Sequence, residues 1–278
     1  MPNPNIITFT KMSGAGNDFI ILEEQRGMNY RKLAPKVCDR TNGIGADGIL
    51  LLGKSRKADY RMRIINSDGS EAEMCGNGAR CLAAYIAARR KPRKKTFSIE
   101  TLAGVLLAEA KGETADIRLS APKDFTPSIE IMISGQRRRV HYIDTGVPHT
   151  VLFVDNLKSI DVRAIGPALR YHERFAPRGT NVNFAEQINP TLVAVRTYER
   201  GVEDETKACG TGAVACAIIA SILSRPGRPK LKNARMRVLT VSGEILTVTF
   251  NMNDDIICLL YTSPSPRDRT RSRMPSSA

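Results

Sequence analysis

The sequence predicts an α+β fold made of two similar domains, and three features predict it. Short segments in which apolar and polar residues alternate occur along most of the chain. Two helical segments rich in small residues lie far apart, one in each half. Each is preceded by the same pattern, C-G-x-G-A, at residues 75–79 and 209–213. Strands with a few embedded helices are typical of the α+β class, and a duplicated domain pair facing across a cleft is the simplest architecture that repeats such a motif.

The strands are predicted where apolar residues recur at every second position and β-branched residues are frequent. These segments are residues 61–66, 97–101, 104–110, 115–122, 181–186 and 192–199. Residues 238–250 read VLTVSGEILTVTF, which predicts a hairpin that turns at Ser242 and Gly243.

The helices are predicted at residues 79–90, which are rich in alanine and have an apolar face, and at residues 213–223. The second segment is apolar all round, which is typical of a helix buried on every side. Between the two halves, APKDFTP at residues 121–127 interrupts the strand pattern. We therefore predict an N-terminal domain at 1–124 and a C-terminal domain at 125–257.

Residues 258–278 differ in composition from the rest of the chain. They are rich in serine, proline and arginine and have no apolar period, which predicts disorder. They also resemble a translated sequencing adapter more than a natural protein segment, so they are left out of the functional reasoning.

The composition limits the classes of function. The formal net charge is +14, and basic residues cluster at 89–95 and 137–139, but aromatic residues make up only 5% of the chain and tryptophan is absent. Solvated basic loops therefore explain the charge better than a nucleic-acid interface does. No uncharged apolar stretch of about 18 residues suggests a membrane span, and no signal peptide is recognisable. The expected location is the cytoplasm.

The six cysteines indicate thiol chemistry rather than a metal site or a disulfide framework. No CxxC pair exists and only three histidines are present, so no metal site is predicted. A chain of this length without a secretory signal is expected to keep its thiols reduced. Cys38, Cys81 and Cys216 stand among apolar or small residues and are predicted to be small core residues.

A C-G-x-G-A motif at the start of a helix provides a base and an anion site together. The first helical turn leaves backbone N–H groups without partners in the helix, and the glycines let a carboxylate approach them. A cysteine at this positive end ionises to a thiolate more readily. One cysteine beside glycines is more often structural, but the second copy argues for function. Cys75 and Cys209 would then supply a base on each face of one α-carbon, with no cofactor required.

The resemblance to a known family is carried by six blocks in order. They are KMSGAGNDF at 11–19, GIGADG at 43–48, NSDGSEAEMCGNGARC at 66–81, PHT at 148–150, NVNF at 181–184 and YERGVEDETKACGTGA at 198–213. Over most of residues 6–250 the chain resembles the diaminopimelate epimerases. The resemblance implies two similar domains, each a mostly antiparallel sheet wrapped around a central helix, with the active site in the cleft. It also implies conversion of LL-2,6-diaminopimelate to the meso isomer in lysine biosynthesis without a cofactor, often by a homodimer.

The resemblance also implies roles for individual residues. Cys75 and Cys209 would be the acid–base pair, and His149 and Glu199 would help to set their protonation. The residues implied to bind substrate are Asn17, Asn66, Gly76, Asn77, Asn181, Glu199, Arg200, Gly210 and Thr211. Gly76, Asn77, Gly210 and Thr211 would hold the reacting carboxylate, Arg200 the distal one, and Glu199 the ammonium group. From the residues alone, the asparagines Asn17 and Asn66 are equally well explained as turn residues.

Three departures from the family pattern stand out. Val147 replaces an asparagine found in several members, Gly48 replaces a glutamine found in some, and the last family strand, which returns to the first domain, is predicted to be missing. The alternatives are a racemase of proline, 4-hydroxyproline or histidine on the same fold and, more distantly, a basic nucleic-acid-binding protein. Asn77 stands where proline racemases typically carry a histidine, which favours the diaminopimelate group.

Overall fold

The computed structural model describes residues 6–90, 92, 94–111, 114–118, 121–225, 231–252, 256–262 and 270–275. The chain divides into two units. The first comprises Met1–Ile117 and Pro264–Ala278, and the second comprises Arg118–Ser263.

The first unit is built from strands and two helices. In chain order they are β1 (Ile6–Gly14), β2 (Asn17–Glu23), α1 (Tyr30–Cys38), β3 (Gly48–Gly53), β4 (Tyr60–Asn66), β5 (Glu71–Ala72), α2 (Gly76–Arg90), β6 (Thr96–Thr101), β7 (Gly104–Lys111) and β8 (Thr114–Arg118). Strand β1 pairs antiparallel with β2, and β2 pairs parallel with β3. Strand β4 pairs antiparallel with β3 and β5 and parallel with β6, which pairs antiparallel with β7.

The second unit repeats this plan. Its elements are β9 (Lys123–Ile133), β10 (Gln136–Asp144), β11 (Pro148–Phe153), α3 (Val162–Arg170), β12 (Asn181–Asn189), β13 (Leu192–Glu199), β14 (Asp204–Thr206), α4 (Gly210–Leu223), β15 (Leu231–Leu239), β16 (Ile245–Met252) and β17 (Ile256–Thr262). From β10 to β16 the pairings follow the order of β1 to β7, with parallel pairs at β11–β12 and β13–β15 and antiparallel pairs elsewhere. The duplication predicted from one pentapeptide therefore extends to the strand order of both units.

Each unit has one helix packed within its sheet. Helix α2 contacts β1, β2, β3, β4 and β7, and α4 contacts β10, β11, β12, β13, β15 and β16. Small residues make this packing possible: Ala83 and Ala84 in α2, and Ala215 and Ala217 in α4, are fully buried. Both helices begin directly after a motif cysteine, three residues before the starts predicted from the apolar pattern. The prediction of a sheet wrapped around a central helix is confirmed in each unit.

Helices α1 and α3 are missed by the apolar pattern. Each contains a proline, Pro35 or Pro167, which normally argues against a helix interior. Asn29 and Asp161 cap their first turns through side-chain oxygens that accept from Lys32 N and Ala164 N. Because both helices cover a hydrophobic core with residues such as Leu33 and Leu169, tertiary packing outweighs the local cost of the proline.

The hairpin prediction at residues 238–250 is confirmed. Strands β15 and β16 pair antiparallel around a turn in which Gly243 adopts a φ of +80°. The Thr240 hydroxyl donates to the carbonyl of Glu244 at 3.1 Å and accepts from the hydroxyl of Ser242 at 2.8 Å. The turn is therefore held by side chains as well as by its glycine.

The predicted break between domains is a strand in the structure. Residues 124–125 lie inside β9, and the division between units falls in β8, between Ile117 and Arg118. Strand β9 accommodates its proline through register shifts against β10 and through positive φ angles at Asp124 (57°) and Ser128 (54°). The loss of alternation therefore marks an irregular strand and not a linker.

The end of the chain also differs from the prediction of disorder. Within residues 258–278, the structure describes the end of β17 and a further strand, β18 (Thr270–Pro275), which pairs antiparallel with β1 of the first unit. A segment of this tail therefore pairs with the first unit, whereas the composition predicts disorder for the whole tail. An edge strand such as β1 offers backbone N–H and C=O groups that another segment can pair with whatever its side chains are, so composition misled the prediction.

Candidate functional site

The first copy of the motif places Cys75 immediately before α2. The amide of Ala79 donates to the carbonyl of Cys75 at 2.8 Å, which is the first helical hydrogen bond. The amide of Gly78 lies 3.4 Å from the sulfur and donates to it. Cys75 is half-buried. Its sulfur therefore lies at the positive end of the helix with a backbone donor directed at it.

A line of side chains fixes Asn77, the third residue of this motif. Asn77 is buried, and its Nδ2 donates to Asn17 Oδ1 at 2.6 Å. Asn17 Nδ2 in turn donates to Asp47 Oδ2 at 3.0 Å. Arg80, one turn into α2, donates to Asn77 Oδ1 at 2.7 Å. The sequence-predicted residues Asn17 and Asn77 are thus in contact, and Asp47 supports them.

Asp47 shares the guanidinium of Arg40 with Asp18, so these two carboxylates belong to one charged network. Arg40 contacts both Asp47 (2.6 Å) and Asp18 (2.7 Å), and Lys11 contacts Asp18 at 3.1 Å. Burial would raise the pKa of Asp18, but hydrogen bonds and positive charge from Arg40 and Lys11 outweigh it and hold that pKa below its ordinary value. Asp18 therefore joins Arg40 and Lys11 in a charged network next to Asn17.

Asn66 lies beside this group at the end of β4. It pairs with Gly48 across the β3–β4 ladder, and the amide of Ser67 donates to the carbonyl of Asp47 at 3.2 Å. The Asn66 side chain donates to Ser70 Oγ at 3.0 Å. At Gly48 a Cβ atom would lie 2.7 Å from the carbonyl oxygen of Ile65, so the glycine allows the two strands to approach closely here.

The second copy of the motif places Cys209 at the N-cap of α4. The residue has extended φ and ψ angles of −116° and 113°, and its carbonyl accepts from Ala213 N at 2.9 Å. The backbone N–H groups of Gly210 and Thr211 come before the first hydrogen bond within the helix. They are therefore the groups that the predicted anion site would use. Cys209 is 8% exposed, and its sulfur lies 3.6 Å from the hydroxyl oxygen of Thr211.

His149 connects Thr211 to the interior of the second unit. It is fully buried in β11, with Nε2 2.9 Å from Thr211 Oγ1 and Nδ1 3.1 Å from Asn183 Nδ2. Burial, with a smaller contribution from the positive charge of Arg200, lowers the pKa of His149 to about 3. His149 is therefore neutral near pH 7 and has one ring N–H to donate.

Asn181 and Arg200 also lie together in this unit. The side chain of Asn181 accepts from the backbone amide of Arg200 at 2.9 Å and donates to the carbonyl of Pro148 at 2.9 Å. The guanidinium of Arg200 donates to the carbonyl of Arg178 at 3.3 Å. Glu199 ends β13 and its carbonyl accepts from Glu203 N in the following turn. Asn181 thus positions the turn that carries Glu199 and Arg200.

Sequence reasoning missed two supporting residues, Asp47 and Asn183. Both lie inside blocks that carry the family resemblance, GIGADG and NVNF, but neither stands next to a motif cysteine. The feature that could have drawn attention to Asn183 is a polar side chain in the interior of a predicted strand. In the structure this residue is 0% exposed. A buried amide needs partners, and those partners can be identified only when the strands are assembled.

The other described cysteines have the core positions predicted for them. Cys38, Cys81 and Cys216 are 3%, 0% and 0% exposed. Burial, together with Asp18 and Asp47, raises the pKa of the Cys38 thiol to about 12, and burial alone raises that of Cys216. The thiols of Cys38 and Cys216 are therefore protonated near neutral pH, and all three thiols are shielded from solutes.

Within the residues that the structure describes, no group of three or more histidine, cysteine or acidic side chains is arranged to hold a metal ion. In the same residues, no helix combines the length and the apolar character that crossing a membrane requires.

Comparison with known proteins gives matches over nearly the whole chain. The family model described as diaminopimelate epimerase matches residues 9–121 and 141–261. The diaminopimelate epimerase of Aquifex aeolicus is 39% identical over 257 residues, covering 87% of this chain and 90% of that protein. The one from Caldanaerobacter subterraneus subsp. tengcongensis is 41% identical over 250 residues, covering 84% and 90%.

Solved structures with low sequence identity share the fold. A Bacillus anthracis protein of the PhzF phenazine biosynthesis family superposes with a TM-score of 0.72 at 17% identity, covering 96% of this chain and 99% of that one. A hydroxyproline epimerase from Agrobacterium vitis superposes with a TM-score of 0.70 at 14% identity, covering 99% and 94%.

Proposed function

The chain belongs to the diaminopimelate epimerase family, and we propose that it interconverts LL-2,6-diaminopimelate and the meso isomer with Cys75 and Cys209 as its two acid–base groups. The observation that carries the proposal is the repeated motif, because each unit places a cysteine directly before the helix buried in its sheet. The reaction serves lysine biosynthesis, and the proposed chemistry uses no cofactor.

In the proposed reaction, one cysteine acts as a thiolate that removes the α-proton of the substrate. The other acts as a thiol that delivers a proton to the opposite face, and the reverse reaction exchanges their roles. The negative charge that develops on the α-carboxylate is stabilised by backbone N–H groups at the two helix N-termini, from Gly76 and Asn77 and from Gly210 and Thr211.

The remaining site residues are proposed to position the substrate. Arg200 binds the distal carboxylate, and Glu199 binds an ammonium group and, with His149, sets thiol protonation. Asn17, Asn66 and Asn181 complete the binding site. The hydrogen bond from Arg200 N to Asn181 and the contact of Asn17 with Asn77 support these assignments, since each side chain is held by a second predicted site residue.

The test is an NMR assay in heavy water with LL-diaminopimelate. We expect deuterium at the inverted carbon and loss of epimerisation in both Cys75→Ala and Cys209→Ala. Cys216→Ala is the matched control, because it removes a buried thiol from α4, the helix that Cys209 precedes, and is expected to remain active. Full activity in either motif variant, or inversion without solvent label, would refute the two-base mechanism.

The nearest alternative is a racemase of proline, 4-hydroxyproline or histidine, which the fold shared with the hydroxyproline epimerase keeps open. The same assay run with these three amino acids separates the two functions, and we expect turnover of diaminopimelate alone. We also propose a cytoplasmic location and a small-molecule substrate without nucleic acid. A homodimer remains an expectation that light scattering can test.

A further inference from the structure

We propose that Asn183 is a positioning residue that holds His149 in the tautomer protonated at Nε2, so that the Thr211 hydroxyl directs its own proton to the sulfur of Cys209. This inference rests on the proposed function for its catalytic meaning, because it assigns a hydrogen-bond donor to one of the two reacting sulfurs. The hydrogen bonds themselves lie wholly within the second unit.

The orientation of the Asn183 side chain is fixed by two neighbours. Its Nδ2 lies 3.1 Å from the carbonyl oxygen of Thr150, which can only accept a hydrogen bond. Its Oδ1 accepts from the hydroxyl of Thr197 at 3.0 Å. The amide nitrogen therefore faces Thr150 and His149, and the amide oxygen faces Thr197.

This orientation decides the tautomer of His149. The second N–H of Asn183 Nδ2 points to His149 Nδ1 at 3.1 Å, and an amide nitrogen can only donate. Nδ1 must therefore carry a lone pair. Because burial keeps the ring neutral, its single proton is on Nε2.

The ring proton in turn orients Thr211. His149 Nε2 donates to Thr211 Oγ1 at 2.9 Å, so this oxygen acts as an acceptor from the ring. The hydroxyl keeps one proton of its own, and the Cys209 sulfur lies 3.6 Å away. A hydroxyl donor favours the thiolate form of a cysteine, because hydrogen bonds to a charged acceptor are stronger than those to a neutral one.

The second glycine of the motif makes room for this line of contacts. A Cβ atom at Gly212 would collide with the Oδ1 atom of Asn183 and would lie 3.3 Å from the Cβ of Cys209. The helix N-terminus can therefore approach Asn183 only with glycine at this position.

The corresponding line in the first unit lacks a hydroxyl. There Asp47, Asn17 and Asn77 are linked in sequence, and the Asn77 amide is directed to Asn17 and Arg80. The sulfur of Cys75 receives a backbone donor, Gly78 N, at 3.4 Å. The tautomer-dependent donor is therefore a feature of the second motif.

The first test reads the tautomer directly from the ¹⁵N shifts of the His149 ring near neutral pH. We expect Nε2 to be protonated and Nδ1 unprotonated in the unaltered chain. In Asn183→Asp, whose carboxylate can only accept, Nδ1 should gain a proton. A proton on Nδ1 in the unaltered chain would overturn the proposal whether or not the variant folds.

The second test measures the rate at which iodoacetamide alkylates Cys209 at fixed neutral pH, resolved by peptide mass spectrometry. We expect Thr211→Val to slow it about fivefold, because fewer molecules carry the thiolate, and Thr211→Ser to restore it. Asn183→Ala should slow it in the same direction, whereas Asn189→Ala, an exposed asparagine on the same strand, should not.

A double variant decides whether Asn183 acts through Thr211. If it does, Asn183→Ala should add little to the effect of Thr211→Val. Fully additive effects, or an unchanged rate in Thr211→Val, would overturn the proposal. Neither readout needs turnover, so the two claims can fail independently. An active epimerase without the Asn183–His149–Thr211 hydrogen bonds would refute only this inference. A chain that has these hydrogen bonds but does not turn over diaminopimelate would refute only the proposed function.

Discussion

The two motif copies differ at one residue, and that residue gives their sulfurs different surroundings. In C-G-x-G-A the variable residue is Asn77 in the first copy and Thr211 in the second. Asn77 contacts another asparagine, while Thr211 contacts both a histidine ring and a sulfur. The proposed two-base reaction would begin each catalytic cycle with one thiolate and one thiol, and unlike surroundings would allow the two cysteines to begin in these unlike protonation states.

Single thiols should differ sharply in reactivity. We expect iodoacetamide to alkylate Cys75 and Cys209 in the folded protein at least about tenfold faster than Cys38, Cys81 or Cys216. The latter three are buried among apolar atoms, and burial raises the pKa of Cys38 and Cys216. Peptide mapping of partially labelled protein measures the rates, and unfolding in urea should make the five equally reactive. Labelling of Cys216 at the rate of Cys209 would contradict the assignment.

The neutral state of His149 should make stability depend on pH. Its pKa is lowered to about 3 in the folded state, so the unfolded chain binds more protons below about pH 6.5. Its contribution is therefore fully present above that pH and declines as the pH falls towards 3. Urea unfolding at about pH 7 and about pH 5.5 should show a loss of stability that is smaller in His149→Gln. Some loss should remain, because burial and Arg139 also lower the pKa of His141.

The control for this experiment is His172→Gln, which changes a half-buried histidine of the same unit. We expect it to keep the pH dependence of the unaltered chain. If the loss of stability between about pH 7 and about pH 5.5 were equal in all three proteins, His149 would not be held neutral in the folded state.

At the scale of elements, the second glycine of each motif allows its helix to pack closely against a neighbouring side chain. A Cβ at Gly78 would meet the Leu50 side chain at 2.9 Å, whereas a Cβ at Gly212 would collide with the hydrogen-bonded amide of Asn183. A leucine side chain can shift its rotamer, but Asn183 is held by Thr150 and Thr197. The two substitutions to alanine should therefore have unequal costs.

We expect Gly212→Ala to lower the free energy of unfolding by about 2 kcal/mol, a typical cost of overpacking. Gly78→Ala should be within about 1 kcal/mol of neutral, because alanine is a better helix former than glycine by a similar amount. Urea unfolding followed by circular dichroism measures both. A larger loss in Gly78→Ala than in Gly212→Ala would show that the Asn183 contact is not the limiting one.

The elements that sequence reasoning predicted are those with a strong local signal. The hairpin at Ser242 and Gly243 and the helices α2 and α4 follow from turn glycines and from a repeated motif, although both helices begin three residues before their predicted starts. Helices α1 and α3 are missed because Pro35 and Pro167 obscure an apolar face whose value lies in the core that it covers. The same limit applies to the site: the motif residues are visible in sequence, whereas Asn183 acquires its meaning only from strand pairing.

At the scale of the whole molecule, the duplication is deeper than the sequence reveals. Only a five-residue pattern with four identical residues repeats recognisably, yet seven consecutive strands of each unit pair in the same order and with the same directions. Strand pairing depends on backbone hydrogen bonds and on burial, which many sequences satisfy, whereas the cysteines and glycines are constrained by chemistry and by close approach. A short motif can therefore report a fold repeat that general similarity conceals.

The same backbone logic applies to the end of the chain. Strand β18 pairs with residues 6–11 of β1, and β2 pairs with residues 10–14. Residues 6–9 therefore pair with β18 and lie outside the pairing with β2. We expect amide hydrogen exchange to speed up at least about tenfold, among residues 7–9, at those whose N–H groups face β18 in the double variant Arg271→Pro, Ser272→Pro. Because neighbouring residues of a strand point their N–H groups to opposite sides, one of the two prolines must remove a donor that faces β1.

The matched control is the double variant Arg271→Ser, Arg273→Ser, which alters side chains and charge but keeps every backbone donor. Protection of residues 7–9 should persist in it, since the pairing is made by the backbone, and protection of β3 should be unchanged in both variants. If the prolines left exchange in β1 unchanged, β18 would not be its partner and the prediction of disorder would stand. If the serine variant lost protection as well, the arginine side chains and not the ladder would hold the segment in place.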